Sequence, residues 1–274
     1  MKFRYPIVCL IFLMVAVFPT IAQSLTAVEY YNRGTLNIQK RQYNHAIEDF
    51  NNALEMRPDL YQAYYNRGNV YEINGKHDQA IQDFNKAIAL NPYYYQAYNN
   101  RGSAYKSQGK HDLAIQDFNK AIVLKPDLFQ AYNNRGNVYS KLGKYSQAIQ
   151  DFNKAIALKP NFFKAYISIG WLYATCEDRG LRDGAKGVDV ALKSIALKET
   201  SAGMNTLGAA YVENKQYEKA IETYKKVIEN SNAYIKRYQK SLTDNGCYSG
   251  SVDGIRSKEF EKALRICVMQ GKYL

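Results

Sequence analysis

Residues 61–128 contain nearly the same 34-residue segment twice: YQAYYNRGNVYEINGKHDQAIQDFNKAIALNPYY (61–94) and YQAYNNRGSAYKSQGKHDLAIQDFNKAIVLKPDL (95–128). The period continues in both directions, because residues 27–60 precede this pair and residues 129–162 follow it in phase. A repeat of this length is typical of stacked helical hairpins, each of which is too small to bury its apolar face alone.

Small residues and one phenylalanine recur at helical spacing in each of these four units. Counted from the first residue of a unit, position 8 is glycine, positions 20 and 27 are alanine, and position 24 is phenylalanine. Glycine inside a helix costs about 1 kcal/mol relative to alanine, so its recurrence indicates that a second helix approaches closely there. Proline at position 32 ends the second helix. The pattern predicts two packed helices per unit, helix A and helix B.

This spacing of glycine, two alanines and proline resembles the tetratricopeptide repeat family. The resemblance implies an all-α solenoid of helical hairpins wound into a right-handed superhelix, in which the A helices line a concave groove. It also implies that the groove binds a protein or peptide and that the fold has no chemistry of its own. Residues 163–200 are interpreted as a degenerate fifth unit with a longer turn, and residues 201–230 as a sixth unit. The predicted solenoid spans residues 27–234.

Asparagine occupies position 6 in all four regular units, and the family resemblance places this position in the groove. The candidate groove residues comprise these asparagines and neighbours at positions 5 and 9: Asn32, Asn66, Asn100, Asn134, Tyr65, Asn69, Asn99, Asn133 and Asn137. An amide both donates and accepts hydrogen bonds, so it can hold a peptide backbone or a carboxylate. The alternative is that the asparagines belong only to the repeat consensus.

Arginine recurs at position 7 and aspartate at position 23 of each regular unit. Opposite charges that repeat in phase predict a ladder of Arg–Asp pairs between neighbouring helices. A row of arginines that binds anions is the alternative. The paired arrangement is favoured, because unpaired arginines at a packing position would destabilise the fold.

The first 22 residues have the organisation of a secretory signal peptide. Lys2 and Arg4 precede an apolar run over residues 7–18, and the small-residue site TIA follows at residues 20–22. The run is shorter than the roughly 20 residues of a membrane span. Cleavage after Ala22 is therefore expected, with an uncleaved anchor as the alternative. The mature protein is expected in the periplasm or outside the cell, without an integral membrane span.

The chain carries a formal net charge of +12, from 37 basic and 25 acidic residues. In an exported protein this surplus favours contact with anionic polymers or headgroups of a bacterial envelope over contact with nucleic acid. The alternative is that the scattered lysines serve only solubility.

No catalytic arrangement is recognisable in the sequence. The three histidines (His45, His77 and His111) fall one per unit, which is too far apart for a single metal site. Neither a phosphate-binding glycine loop nor a serine elbow is present. The chain is therefore expected to be a binding protein without enzyme activity, cofactor or metal.

Residues 235–274 depart from the repeat. A helix is predicted over residues 234–243, a loop over 245–254 and a second helix from 257 to about 269. The stretch resembles the small peptidoglycan-binding domain family at these positions: Leu242, Gly246, Tyr248, Gly250, Val252, Asp253, Gly254, Ile255, Ala263 and Leu264. The alternative is an element that closes the apolar end of the solenoid, because Tyr238 falls in phase with the tyrosine that occupies position 4 of each regular unit.

This second resemblance implies weak affinity for peptidoglycan. Tyr248 would offer a stacking face to a sugar, and Asp253 would hold the turn or accept a hydrogen bond from the ligand, the turn being favoured. Cys247 and Cys267 occupy two positions where that family packs aromatic side chains together, which implies a disulfide between them. An oxidising compartment and the small size of the module support this pairing. Cys176 is then the unpaired thiol.

Together these features predict an exported, non-enzymatic interaction scaffold of the bacterial envelope. The alternative is an accessory or regulatory subunit of a cell-wall enzyme, in which the C-terminal helices act only as a targeting module or a cap. RNA binding through stacked tyrosines and asparagines is a third, weaker hypothesis.

Overall fold

The computed structural model describes residues 25–229 and 232–274, and within them the chain forms fourteen α-helices and no strand. The predicted signal peptide, residues 1–22, lies outside the described residues. The helices are α1 (Ala27–Gln39), α2 (Tyr43–Met56), α3 (Tyr61–Ile73), α4 (His77–Leu90), α5 (Tyr95–Ser107), α6 (His111–Leu124), α7 (Phe129–Lys141), α8 (Tyr145–Leu158), α9 (Phe163–Thr175), α10 (Gly184–Leu197), α11 (Ser201–Glu213), α12 (Tyr217–Glu229), α13 (Asn232–Asp244) and α14 (Lys258–Met269). Helices α1 to α12 form six hairpins, as the repeat predicts.

Glycine at position 8 allows the two helices of a unit to touch. A Cβ atom added to Gly68 would lie 2.8 Å from Phe84 Cε1, and one added to Gly102 would lie 2.9 Å from Phe118 Cε1. Both phenylalanine rings are fully buried. The predicted close approach is confirmed, and the ring at position 24 is what requires the glycine.

The turn between helices A and B contains a residue in the left-handed region at position 15. Three regular units place glycine there, at Gly75, Gly109 and Gly143, with φ between 70° and 73°. Arg41 and Lys215 adopt the same conformation in the first and sixth units, with φ of 59° and 56°. All these turns therefore share one backbone geometry, although two of them contain side chains that disfavour it.

The A helices form the inner layer of the solenoid. Consecutive A helices (α1, α3, α5, α7, α9 and α11) contact one another, whereas consecutive B helices among the first six units make no comparable contact. The side on which neighbouring helices lie closer together is the concave one. The groove is therefore lined by A helices, as the family resemblance implies.

The predicted Arg–Asp ladder is confirmed. Arg67 Nη2 lies 2.7 Å from Asp83 Oδ1, and Arg67 Nε donates to Asp83 Oδ2 at 2.8 Å. The third nitrogen, Nη1, donates to Asn51 Oδ1 of the preceding unit at 2.6 Å. Equivalent pairs recur at Arg33–Asp49, Arg101–Asp117 and Arg135–Asp151. All four arginines join the two helices of their own unit, and those of the second, third and fourth units also bond the preceding unit. This does not support the alternative of an anion-binding row.

The longer turn of the fifth unit contacts the C-terminal residues of the described chain. Arg182 Nε donates to the carbonyl of Cys176 at 2.6 Å, and Arg182 Nη1 donates to Tyr273 Oη at 3.1 Å. Tyr273 Oη in turn donates to Glu213 Oε2 at 2.5 Å. Leu274 is buried beside this network. The departure of the fifth unit from the repeat thus creates a contact that a regular turn would not make.

Helices α13 and α14 pack against the sixth unit in one continuous apolar core. This core contains Ile221, Tyr224 and Ile228 from α12, Tyr238 and Leu242 from α13, and Phe260, Leu264 and Cys267 from α14. Ser257 caps α14 through a hydrogen bond from Phe260 N, and Gly246 follows α13 with φ of 70°. The two predicted helices therefore agree with the structure to within two residues at each end. The core, however, crosses the predicted domain boundary at residue 235.

None of the described helices is both long and apolar enough to cross a membrane.

Candidate functional site

Several of the asparagines predicted to line the groove form hydrogen bonds between neighbouring A helices. Asn100 Nδ2 donates to Tyr65 Oη at 3.0 Å and to Asn69 Oδ1 at 2.7 Å, both in the preceding unit. Analogous bonds join Asn66 to Tyr31, and Asn134 to Asn99 and Ser103. The amides therefore hold neighbouring A helices to one another. Their direct grip on a ligand stays a prediction, and it would compete with these internal bonds.

This ladder changes at the fifth unit, where Ser168 replaces asparagine at position 6. Ser168 Oγ donates to Asn137 Oδ1 at 3.1 Å. No described side chain pairs with Asn133 Oδ1, although Asn133 is only 6% exposed. Serine has a shorter side chain than asparagine, so it leaves more space on the concave side at this point.

A pocket of about 370 Å³ occupies this space. Four helices line it with the following side chains: Asn137, Ser140 and Lys141 of α7, Ile167, Ser168 and Trp171 of α9, Ala202, Asn205 and Thr206 of α11, and Arg237 of α13. Trp171 is the single tryptophan of the chain, and it is 39% exposed. The pocket thus combines an exposed aromatic ring, hydroxyl and amide groups, and two cations.

Helix α13 is fixed at the pocket by a buried hydrogen bond. Tyr238 Oη donates to Asn205 Oδ1, and both residues are buried. Arg237 precedes Tyr238 in the helix and is exposed at the pocket. The bond explains how a residue outside the repeats contributes to the groove.

Further positive charge lies along the same wall of the groove. Lys164, Ile167, Ser168 and Trp171 share one face of α9, because they are spaced by three, four and seven residues. Burial lowers the pKa of Lys106 on α5, Glu72 partly offsets this effect, and the charge of Lys164 lowers the pKa further. The Lys106 and Lys164 side chains therefore belong to one positively charged region.

The carboxylate of Glu72 is already engaged on this wall. His77 Nδ1 lies 2.8 Å from Glu72 Oε2, and Ser107 Oγ donates to Glu72 Oε1 at 3.4 Å. Lys141 and Arg237 form no ion pair with any residue that the structure describes. Two cations at the pocket are therefore free to bind an anionic group.

Tyr248, which was expected to offer a stacking face to a glycan, has different surroundings from those expected. Tyr248 is only 8% exposed; its ring lies edge-on to Phe260 with centroids 6.2 Å apart, and its hydroxyl donates to the Ser251 carbonyl. Stacking on a sugar requires an open ring face, and burial in the shared core removes it. The stacking role expected of Tyr248 is therefore corrected to a packing role.

Asp253 holds the turn that precedes α14. Its carboxylate accepts hydrogen bonds from Ser251 Oγ at 2.6 Å, Gln239 Nε2 at 2.8 Å and Ile255 N at 2.8 Å. These bonds lower the pKa of Asp253 to about 2. Gln239 is fully buried and also accepts from Gly254 N, so a glutamine on α13 organises this loop. Sequence reasoning did not identify Gln239.

The structure contains a disulfide between Cys247 and Cys267, whose Cα atoms are 5.6 Å apart. It links the loop after α13 to α14. Cys176 is a free, buried cysteine, and burial raises the pKa of its thiol. A raised pKa disfavours the reactive thiolate, so Cys176 is a packing residue.

Within residues 25–229 and 232–274, no group of three or more histidine, cysteine, aspartate or glutamate side chains could hold a metal ion. Sequence reasoning missed Lys141, Trp171 and Arg237. The available signal was Trp171 itself, a lone tryptophan at position 9, where the four regular units carry polar residues. Arg237 had no comparable signal, because its place in the groove depends on the packing of α13.

Comparisons with known proteins agree with this architecture. Family models described as tetratricopeptide repeat or TPR repeat match residues 30–75, 61–94, 84–116, 102–143, 129–162 and 202–234. None of these matches extends beyond residue 234. No curated protein sequence gives a significant match.

Several solved structures are similar to this chain. A crystal structure of MamA is 30% identical, covers 61% of this chain and 94% of its own, and has a TM-score of 0.53. PilW, a type IV pilus biogenesis factor, is 17% identical; the match covers 87% of this chain and 98% of PilW, with a TM-score of 0.66. YrrB, described as a TPR protein with an unusual peptide-binding site, is 22% identical; the match covers 65% of this chain and 90% of YrrB, with a TM-score of 0.51. At these identities, the last two show the shared fold alone.

Proposed function

Because this chain belongs to the tetratricopeptide repeat family, we propose that it is a non-catalytic scaffold that binds a segment of a partner protein in its concave groove. The observation that carries this proposal is the pocket between α7, α9, α11 and α13. Tryptophan and arginine, which both line this pocket, are among the residue types enriched at the dominant contacts of protein interfaces.

The site of binding can be tested by photo-crosslinking of the full mature chain in extracts of the source cells. A benzophenone amino acid replaces either Ser140, which lines the pocket, or Lys154, which is exposed on the outer helix α8. We expect a discrete crosslinked protein from position 140 and none from position 154. Crosslinks from position 154 alone would contradict groove binding and place the interface on the convex side.

We propose that the protein is exported to the bacterial envelope. The support is the sequence of residues 1–22, with its basic start, apolar run and small-residue site. Mass spectrometry of the protein from source cells should find a mature N-terminus at Gln23. An intact N-terminus in the membrane fraction would favour the uncleaved anchor, and one in the cytoplasmic fraction would refute export.

For residues 235–274 we favour the solenoid cap over a peptidoglycan-binding module. The support is the apolar core shared by α12, α13 and α14, together with the burial of Tyr248. Sedimentation with insoluble peptidoglycan separates the two roles. A cap predicts that the mature chain stays in the supernatant at physiological salt. The variant Lys258→Glu/Lys262→Glu tests whether any pelleting is caused by nonspecific attraction of positive charge. If the mature chain and this variant pellet equally, the segment binds the wall specifically and is more than a cap.

A further inference from the structure

We infer that the pocket at Trp171 binds an acidic peptide segment, with carboxylates on Arg237 and Lys141 and an apolar side chain against the tryptophan ring. This inference rests on the proposed groove binding and names the chemistry of its ligand. It also assigns a role to α13, which supplies one of the two cations.

The arginines of this chain fall into two groups by what they contact. The charge of each arginine at position 7 is already paired within the fold, because each is hydrogen-bonded to a buried aspartate. Arg237 has no such partner among the described residues, yet Tyr238 holds its helix against the groove. Lys141, at the end of α7, is likewise exposed and forms no ion pair within the described part of the chain. A cation that the fold does not use is available for an anionic ligand.

The apolar part of the pocket is equally unused by the fold. Ile169 and Leu172 of α9 are buried in the core, whereas Trp171 is 39% exposed and lines the pocket together with Ile167 and Ala202. An exposed indole with hydroxyl and amide groups around it suits a ligand that carries both an apolar side chain and a polar backbone. Ser168 and Thr206 lie at the same pocket and can bond to such a backbone.

The surroundings of the pocket favour a carboxylate-bearing ligand over a basic or neutral one. Lys164 lies on the same face of α9, and Lys106 lies close enough for its pKa to respond to that charge. The carboxylate of Glu72, which acts on Lys106, is engaged by His77 and Ser107, and no carboxylate lines the pocket among the described residues. A basic peptide would meet four cations here, whereas an acidic segment would be attracted along the groove.

Two other anionic ligands fit this geometry less well. A membrane surface is flat on this scale and cannot follow a concave groove between layers of helices. Single-stranded nucleic acid is held by successive aromatic platforms, and this pocket contains a single exposed ring, that of Trp171. A peptide can place one apolar and two acidic side chains within about 370 Å³ and its entrance.

Peptide binding to the full mature chain tests this inference. The probes are three terminally blocked ten-residue peptides of alternating leucine with glutamate, glutamine or lysine. Emission of Trp171 reports directly on the pocket, because the chain has one tryptophan. We expect the glutamate peptide to shift this emission saturably and to bind about tenfold more tightly than the glutamine peptide, with binding weakened by salt. The lysine peptide should not bind.

Charge reversal on α13 provides the matched control. Arg237→Glu should weaken binding of the glutamate peptide by about tenfold. Lys236→Glu changes an exposed side chain about 100° away around the same helix that does not line the pocket, and it should change the affinity by less than about twofold. Thermal melting of both variants checks that the fold is kept. Equal effects of the two substitutions would show attraction by net charge alone and would overturn a site at Arg237.

The remaining outcomes separate this inference from the proposed function. If the glutamine peptide binds as tightly as the glutamate peptide, the groove binds peptides but the acidic chemistry is wrong. If no peptide shifts the Trp171 emission while position 140 still crosslinks a partner, the scaffold function stands and this inference is overturned. If a 20-nucleotide oligothymidylate binds this pocket more tightly than the glutamate peptide does, the ligand is nucleic acid and the inference of an acidic peptide is overturned.

Discussion

Single side chains decide how closely the helices of one unit approach. Position 8 has no room for a methyl group, because the ring of the phenylalanine at position 24 lies directly against it. Position 15 has ample space but a left-handed backbone. Two recurrent glycines are therefore present for different reasons, one for contact with a ring and one for conformation.

Gly102→Ala tests the contact. Its new Cβ would lie 2.9 Å from Phe118 Cε1 and 3.2 Å from the Ala114 carbonyl, so we expect the free energy of unfolding to fall by about 1–3 kcal/mol despite the better helix propensity of alanine. Chemical denaturation measures the change. Adding Phe118→Leu should recover part of the loss relative to the sum of the two single variants. Strict additivity would show that the ring is not what excludes the methyl group.

Arg41→Gly tests the conformation. Arg41 has a φ of 59°, a conformation that costs roughly 1–2 kcal/mol for a residue with a side chain. Glycine removes this cost, but it also raises the conformational entropy of the unfolded chain, which offsets part of the stabilisation. We expect the variant to be stabilised by up to about 1 kcal/mol. Lys40→Gly, at a neighbouring residue with φ of −80°, is the control and should destabilise. If both substitutions stabilise the protein, the stabilisation comes from the loss of positive charge and not from the backbone conformation.

Pairs of helices are held together by charges that repeat in phase with the glycines. Each arginine at position 7 bonds its own unit's aspartate, and from the second unit onward it also reaches an asparagine of the preceding unit. Such a cation stabilises the stacking of units as well as the hairpin. The asparagine ladder on the concave side performs a similar task between consecutive A helices.

A double-mutant cycle on Arg101 and Asp117 measures the strength of one such pair. Asp117 is buried, so Arg101→Leu strands a carboxylate and should lower the free energy of unfolding by about 3–5 kcal/mol. Arg101→Leu combined with Asp117→Ala should lose less than the sum of the two single changes, because no charge is left unpaired. Additive losses would mean that the bond contributes nothing beyond packing. Urea denaturation of the four proteins gives all the values.

The chain as a unit is closed at its C-terminal end by more than repeat packing. Helices α13 and α14 complete the core of the sixth unit, a disulfide joins them through the intervening loop, and Tyr273 binds the long turn of the fifth unit. This end therefore positions Arg237 at the groove while it covers the apolar face of α12. Closure of the solenoid and completion of the pocket are two consequences of one packing arrangement.

The disulfide gives a direct test of this closure. Mass mapping of the unreduced protein should find Cys247 linked to Cys267 and Cys176 as a free thiol. Closing a loop of this size stabilises by about 3 kcal/mol in the chain-entropy model, so Cys247→Ser/Cys267→Ser should lower the melting temperature. Cys176→Ser, which removes no crosslink, is the control. Free thiols at both positions 247 and 267 would refute the pairing.

The repeat itself could be read from the sequence because its determinants are local. Glycine, phenylalanine, arginine and aspartate recur every 34 residues, and the residues that pair lie sixteen apart in adjoining helices of one hairpin. Because the paired residues are close in sequence, the repeat pattern predicts both the helices and the residues that pair between them. The two C-terminal helices were predicted for the same reason, since their caps and turns are encoded by neighbouring residues.

Tertiary structure alone decided where those elements meet. Trp171 and Arg237 share a pocket because α13 folds back on the sixth unit, and no periodicity relates these two residues. Tyr248 has the sequence environment of a surface ring, yet it is buried by α14 in the common core. Burial and pocket formation depend on which faces of distant helices come together, a property of the assembled solenoid rather than of any one segment.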